Sequence, residues 1–202
     1  MTAASLASPV EVRIHGRGGQ GNVAAAYMLA ATAIREGAFG QAFPAFGAER
    51  RGAPVAAFVR IADHRLRRRS QIRQPAFLIV QDAALLGVPG TLAGLRPGGA
   101  VLVNSDADDD DLARRLGAPT VALPAGALAR EILGRPVPNT ALLAAFLALT
   151  GLLGNDALKE EVTDRFAPKG EEVVRRNHDL IDRAATAVPA GAWEEAVHAA
   201  TA

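Results

Sequence analysis

A histidine, an arginine, a glutamine and four glycines occupy seven consecutive positions, His15-Gly16-Arg17-Gly18-Gly19-Gln20-Gly21. Glycine accepts φ > 0 and lets another backbone or an anion approach closely. The run from about Asn22 to Arg35 has the small-residue pattern of a helix, and the free amides at a helix start favour negative charge. The chemistry on offer is therefore that of holding a close-packed or anionic group. Gly16, Gly18 and Gly21 also satisfy G-x-G-x-x-G, a pattern that is weak by itself. A dinucleotide site needs an acid about 20 residues on, at the end of the second strand. Glu36 has no apolar strand before it, and the next strand closes only at Asp63. Glycines that let a helix lie close on a sheet, or the turn close on a partner subunit, are the better reading.

The other chemistry-bearing residues form no set. Ser5, Ser8, Ser70 and Ser105 lie in no nucleophile elbow, and His15, His64, His178 and His198 are scattered without metal spacing. Arg65, Arg67, Arg68, Arg69 and Arg73 resemble a phosphate patch but have only His64 beside them to stack on a base, so an exposed connector or subunit contact is expected. Asp106 and Asp108 to Asp111 lack the glycine and glutamate of an EF-hand; with Arg114 and Arg115 following, they describe a solvated helix start with Asp110–Arg114 and Asp111–Arg115 at i,i+4. There is no cysteine, which excludes a disulfide framework, a thiolate nucleophile and Cys-ligated zinc or iron–sulfur sites in this chain. Lysine and arginine number 22 against 21 acids, a balance that argues against nucleic acid and anionic membrane as partners. The first nine residues lack a signal-peptide pattern and no apolar run approaches about 18 residues, so a soluble, cytoplasmic protein is expected.

The elements that must position these residues follow in order. Val10-Glu11-Val12-Arg13-Ile14 alternates as a strand, the glycine turn follows, and the helix pattern stops at Arg35-Glu36-Gly37. Ala42 to Pro54 shows no period and reads as a long structured loop. Val55 to Ile61 reads as a strand, Asp63 to Arg73 as a basic connector, and Ala76 to Val80 as a strand buried on both faces. Ala100 to Val103 and Pro119 to Pro124 give two more strands, with helices expected in the gaps. Thr140 to Leu153 reads as a buried helix, Asp156 to Arg165 as a polar one, and from Gly170-Glu171 a helix puts Val173, Asn177, Leu180, Ile181 and Ala184 on one face. Ala192 to Ala202 is a short tail that docks on a neighbour or frays. The fold class is α/β: a Rossmann-like, doubly wound, mostly parallel sheet with C-terminal helices, the main domain at 1–188 and a tail at 189–202.

In order and along roughly Val10 to Ala185, these motifs resemble the gamma subunit of pyruvate:ferredoxin-type 2-oxoacid oxidoreductases. The turn His15 to Gly21 is similar to that family's hallmark, and Ala42-Phe43-Pro44-Ala45-Phe46-Gly47-Ala48-Glu49-Arg50-Arg51-Gly52-Ala53-Pro54-Val55 to its second signature. Arg69-Ser70-Gln71-Ile72, Asp82, Val103-Asn104-Ser105, Pro138-Asn139-Thr140 and Asn177 also fall where the resemblance leads one to expect them. Ala45 and Ala48 stand where the family carries an acid and a proline.

The resemblance implies a complex that oxidatively decarboxylates a 2-oxoacid with coenzyme A, using thiamine diphosphate, Mg and [4Fe-4S] clusters and passing electrons to ferredoxin or a related acceptor. It implies alpha, beta and ferredoxin-like delta subunits as partners, with no cofactor bound by this chain alone and no catalytic residue in it. Gly16, Arg17, Gly18, Gly19, Gln20 and Gly21 are then a contact turn, and Phe43, Phe46, Glu49, Arg50, Arg51 and Gly52 an interface or coenzyme A-side loop. The role that the resemblance implies for this chain is to complete the assembly and cover the active site. The competing reading is a stand-alone Rossmann-like module for a nucleotide or phosphate.

Overall fold

Val10, Val12 and Ile14 are fully buried on one face of the first strand, β1 (Val10–Arg17), which leaves Glu11, Arg13 and His15 on the other. In the computed structural model, which describes residues 8–45 and 52–201, β1 lies inside a six-stranded sheet. The other strands are β2 (Phe39–Pro44), β3 (Pro54–Ala62), β4 (Phe77–Val80), β5 (Ala100–Asn104) and β6 (Thr120–Leu123), in the order β2-β3-β1-β4-β5-β6. The run β1-β4-β5-β6 is parallel, whereas β3 pairs antiparallel with both β1 and β2. The mostly parallel α/β sheet expected from the sequence is thus present, with an antiparallel wing on one side.

Helix α1 (Asn22–Arg35) has the bounds its composition suggests, and its alanines let it lie close on the sheet. A Cβ on Gly40 of β2 would stand 2.1 Å from the carbonyl oxygen of Ala30 in this helix. One apolar layer unites α1 with α3 (Ala125–Leu133), α4 (Asn139–Thr150), α5 (Asn155–Phe166), α6 (Glu171–Thr186) and α7 (Glu194–Thr201) on the Val12 face. A smaller layer on the opposite face holds Leu78, Val80, Val101 and Val103 under Leu85 and under Leu112 of α2 (Asp109–Leu116). The apolar run of β4 is accordingly buried on both sides.

Three readings are corrected. Helices do not fill every gap: only a 3-10 turn at Ala83–Gly87 lies between β4 and β5, while β3 runs to β4 without a helix, as the basic connector read from the sequence requires. The segment Ala42 to Pro54 is not loop throughout, because Phe39–Pro44 pairs along β3 as an edge strand and Pro54 opens β3; glycine, glutamine and proline in the edge strand hid its alternation. At the acidic helix start, Asp108 caps the amide of Asp111 at 2.9 Å and the expected Asp111–Arg115 pair stands at 3.9 Å, but Arg114 turns to Asp111, at 3.3 Å, and not to the Asp110 carboxylate. Beyond Pro189 the chain packs inward: Trp193, 5% exposed, stacks on Phe77 at 5.9 Å, and Phe77 meets Phe146 edge-on.

Candidate functional site

The glycine turn begins later than its sequence suggests. Gly16 and Arg17 still belong to β1 because they pair with Val55 and Pro54 of β3. Gly16 is required for room, since a Cβ there would stand 2.1 Å from Asn22 Oδ1. Gly19 and Gly21 are required for conformation, with φ of +95° and +80°. Gln20 closes the turn: its Oε1 accepts from Arg17 N at 2.7 Å and its own amide donates to Arg17 O at 3.0 Å. Gly21 caps α1 with no side-chain help, and Asn139 Nδ2 at the start of α4 lies 2.9 Å from where a Cβ on Gly21 would be. Two helix starts therefore meet at the carboxyl edge of β1, the edge where open α/β sheets place ligands.

The second signature comes to the same edge. Gly18 N donates to Ala53 O at 2.9 Å, Gly52 N donates to Gly18 O at 3.3 Å, and Arg17 Nη1 donates to Gly52 O at 3.2 Å. Arg17 Nε also pairs with Asp82 Oδ2 at 2.5 Å, and Asp82 Oδ1 caps the 3-10 turn through Ala84 N. Gly52 is exposed, with φ +83°. Phe43 is placed differently: it sits in β2, its ring 5.2 Å from Phe58 and under the Arg60 guanidinium at 5.5 Å. Phe46, Glu49, Arg50 and Arg51 lie outside the described residues.

Behind the turn stands a row of amides that sequence reasoning largely missed. Asn22, 3% exposed, donates through Nδ2 to Val55 O at 3.2 Å, and its buried Oδ1 has no partner among the described residues. Gln81, 1% exposed, follows β4, its amide donating to His15 O at 2.8 Å, and neither polar atom of its side chain has a partner among the described residues. Asn104 donates to Gln81 O at 3.0 Å and accepts from Gly126 N at 2.9 Å, tying β4 to α3. A polar residue directly after a buried strand was the available signal. Amides neither titrate nor attack, so this ledge can hold a group and cannot turn it over. Asn177, on the buried face of α6, donates to Val173 O of its own helix at 2.7 Å. Glu36, where a dinucleotide fold would seek its acid, instead accepts from Gly154 N at 2.6 Å.

His15 points away from the ledge to the outer face. Its Nε2 accepts from Arg13 Nε at 2.7 Å, and burial first, then the Arg13 charge, lower its pKa from 6.5 to about 4. Beside it Arg60 pairs with Glu11 at 2.8 Å and donates to Arg68 O and Ser70 O, which pins the basic connector to the sheet. The remaining histidines are not brought together: His64 meets Asp63, and His178 lies near Thr163 Oγ1 and Lys159 O. Among the described residues no three of His, Cys, Asp and Glu gather as a metal site, and no helix is long and apolar enough to cross a membrane.

Large apolar side chains are exposed at three places among the described residues. Tyr27 and Ile34 on α1 are 48 and 59% exposed and line a groove of about 720 Å³ with Phe43, Arg69 and Arg165, and Phe39 on β2 is 43% exposed. Exposed aromatic and aliphatic surface rimmed by arginine is the composition of protein contacts.

The sequence pattern of the pyruvate ferredoxin/flavodoxin oxidoreductase family matches residues 11–187. Over 160 residues, 79% of this chain and 88% of its relative, the sequence is 46% identical to a protein of Methanocaldococcus jannaschii named pyruvate synthase subunit PorC. It is 43% identical over 161 residues, 78% of this chain and 87% of the other, to the pyruvate/ketoisovalerate oxidoreductases common subunit gamma of Thermococcus kodakarensis. The fold matches the crystal structure of pyruvate oxidoreductase subunit PORC from Thermotoga maritima with a TM-score of 0.78 at 33% identity, covering 88% of this chain and 96% of that one.

Proposed function

The chain belongs to the pyruvate ferredoxin/flavodoxin oxidoreductase family, and on that premise we propose that it is the gamma subunit of a 2-oxoacid:acceptor oxidoreductase complex. The complex oxidises a 2-oxoacid with coenzyme A to an acyl-CoA and CO2, releasing two electrons to an acceptor. The observation that carries this chain's part is the junction of its two signature segments, Gly18 with Gly52 and Ala53, over a ledge of neutral amides. Such a place presents backbone and holds shape, as a lid or subunit contact must, while offering no nucleophile, base or metal ligand set.

Without cysteine, this chain has no thiolate for an iron–sulfur cluster, so clusters, thiamine diphosphate and Mg belong to alpha, beta and ferredoxin-like delta subunits, with ferredoxin or a relative as acceptor. The assembly works in the cytoplasm, where coenzyme A and reduced carriers are handled. On this reading Gly16 to Gly21 would face a sister subunit, and the segment carrying Phe43, Phe46, Glu49, Arg50, Arg51 and Gly52 is the candidate for the contact near coenzyme A. Arginine and aromatic residues in one short segment support that contact. Exchange of Arg50 and Arg51 for lysine removes bidentate geometry and is expected to lower turnover or loosen the complex.

The test is to purify the native complex and supply a panel of 2-oxoacids for coenzyme A-dependent acceptor reduction, with and without this chain. Loss of activity on its omission and recovery on its return are expected. A colourless monomer on native sizing, or full activity without the chain, refutes the reading and favours the stand-alone module.

A further inference from the structure

Three arginines stand on the outer face of β1 and β3, and two of them are neutralised: Arg17 by Asp82 and Arg60 by Glu11. The third, Arg13, is 7% exposed and has no carboxylate partner among the described residues. Its Nε goes to the uncharged His15 ring and its Nη2 to the carbonyls of Thr91 and Ala93, both at 2.8 Å, while Nη1 meets no described group. The nearest acid along β1, Glu11, is already shared between Arg60 and Arg96, at 2.8 and 3.3 Å. A buried cation without an anion is costly, and burial accordingly lowers the Arg13 pKa.

The guanidinium borders a cleft of about 450 Å³ with His15, Ala56, Phe58, Ile72 and Arg73. Because His15 Nε2 accepts from Arg13, the ring proton sits on Nδ1, a second donor with no described partner. Phe58 and Ile72, 4 and 2% exposed, give apolar walls, and Arg73 is exposed to solvent. We infer that this cleft is a carboxylate site: the free Nη1 of Arg13 takes one singly charged carboxylate whose carbon chain lies against Phe58 and Ile72. One buried guanidinium offsets one charge and its free Nη1 donates to one carboxylate oxygen, whereas a phosphate dianion leaves a second charge among apolar walls. The carboxylate comes either from a free small acid or from an acidic side chain of a sister subunit, the second source resting on the assembly proposed above.

Propionate is the probe, titrated at constant ionic strength into the full-length chain labelled at histidine, with the His15 ring resonances as readout. Saturable shifts in the wild type, at least tenfold weaker in Arg13→Gln, are expected if the source is a free acid, and they persist in the assembled complex. If the source is a sister subunit, adding the alpha and beta subunits moves the same resonances and excludes propionate, and Arg13→Gln weakens assembly at least tenfold. Arg13 also holds two carbonyls, so Ala56→Glu serves as the second variant: a carboxylate built beside His15 fills the site from within, blocks propionate and raises the melting temperature. The inference is overturned if neither propionate nor the sister subunits move His15, or if Arg13→Gln or Ala56→Glu responds like the wild type. The propionate arm needs no partner, so its outcome is separable from that of the assembly reading.

Discussion

Lowering the pH from 7 to 4 is expected to remove about 3 kcal/mol of stability from this chain through His15 alone. The folded ring resists protonation until about pH 4, because it is buried and accepts from the Arg13 cation, while in the unfolded chain it takes a proton near 6.5. Between those values the unfolded state binds more protons, so stability rises with pH in that window and falls as the pH drops through it. Glu172 works in the opposite sense at another place: hydrogen bonds from Arg175 and then Arg176 hold its carboxyl to about 2, so its contribution is present above 4.5 and is lost below the His15 window. The comparison variant is His15→Gln, whose Oε1 can still accept from Arg13 but does not titrate. Urea unfolding followed through the fluorescence of the single tryptophan, Trp193, in buffers free of acetate and citrate reads the difference. For a slope of about 2 kcal/mol/M, the wild-type midpoint moves down by about 1.5 M between pH 7 and 4. His15→Gln should flatten that part of the profile, and parallel losses in the two proteins would falsify the assignment.

Gly16→Ala is expected to cost about 1–3 kcal/mol by driving Asn22 from its place, and Asn22→Ala in the same chain should recover part of the loss, as a thermal double-mutant cycle will show. Gly19→Ala meets nothing within 4 Å and carries only the strain of its positive φ, about 1–2 kcal/mol; Gly21→Ala adds the clash with Asn139 Nδ2 and should lower the melting temperature further. Trp193→Ala, which empties the place against Phe77, should cost about 3–5 kcal/mol in urea unfolding. Calorimetry of the isolated chain with NAD or thiamine diphosphate should show no micromolar binding, since Glu36 is occupied by Gly154 and the chain has no diphosphate motif; a clear isotherm with either would refute this.

Strands and helices with strong patterns were legible in the sequence: the apolar run of β4 and the alanine helix from Asn22 to Arg35 appear with nearly the expected bounds, and the Val10-Val12-Ile14 alternation opens β1, which runs on to Arg17. β2 was hidden because its pairing comes from β3 rather than from its own apolar period, as Gly40, Gln41 and Pro44 break that period. The need for glycine at the turn was legible, but its causes were not. Gly16 answers to a side chain six positions on, whereas Gly19 and Gly21 answer to their own dihedrals. Least legible was the polar content of the faces. Nothing local tells that Glu11 will be shared by Arg60 and Arg96 while Arg13, two residues on, finds no acid among the described residues, since those partners are set by the antiparallel register of β3 and the path of the loop before β5.

The stacking of Trp193 on Phe77 also has a meaning in time. A ribosome adding about 5–20 residues per second delivers Phe77 on the order of ten seconds before Trp193. Through that interval the helix-side face of β4 lacks one of its covers, although its partner strand β1 has already been made. The nascent chain is thus expected to present an apolar face to chaperones until a late-made segment closes it, and a transcript cut off before Trp193 should yield a product that is held or degraded rather than assembled.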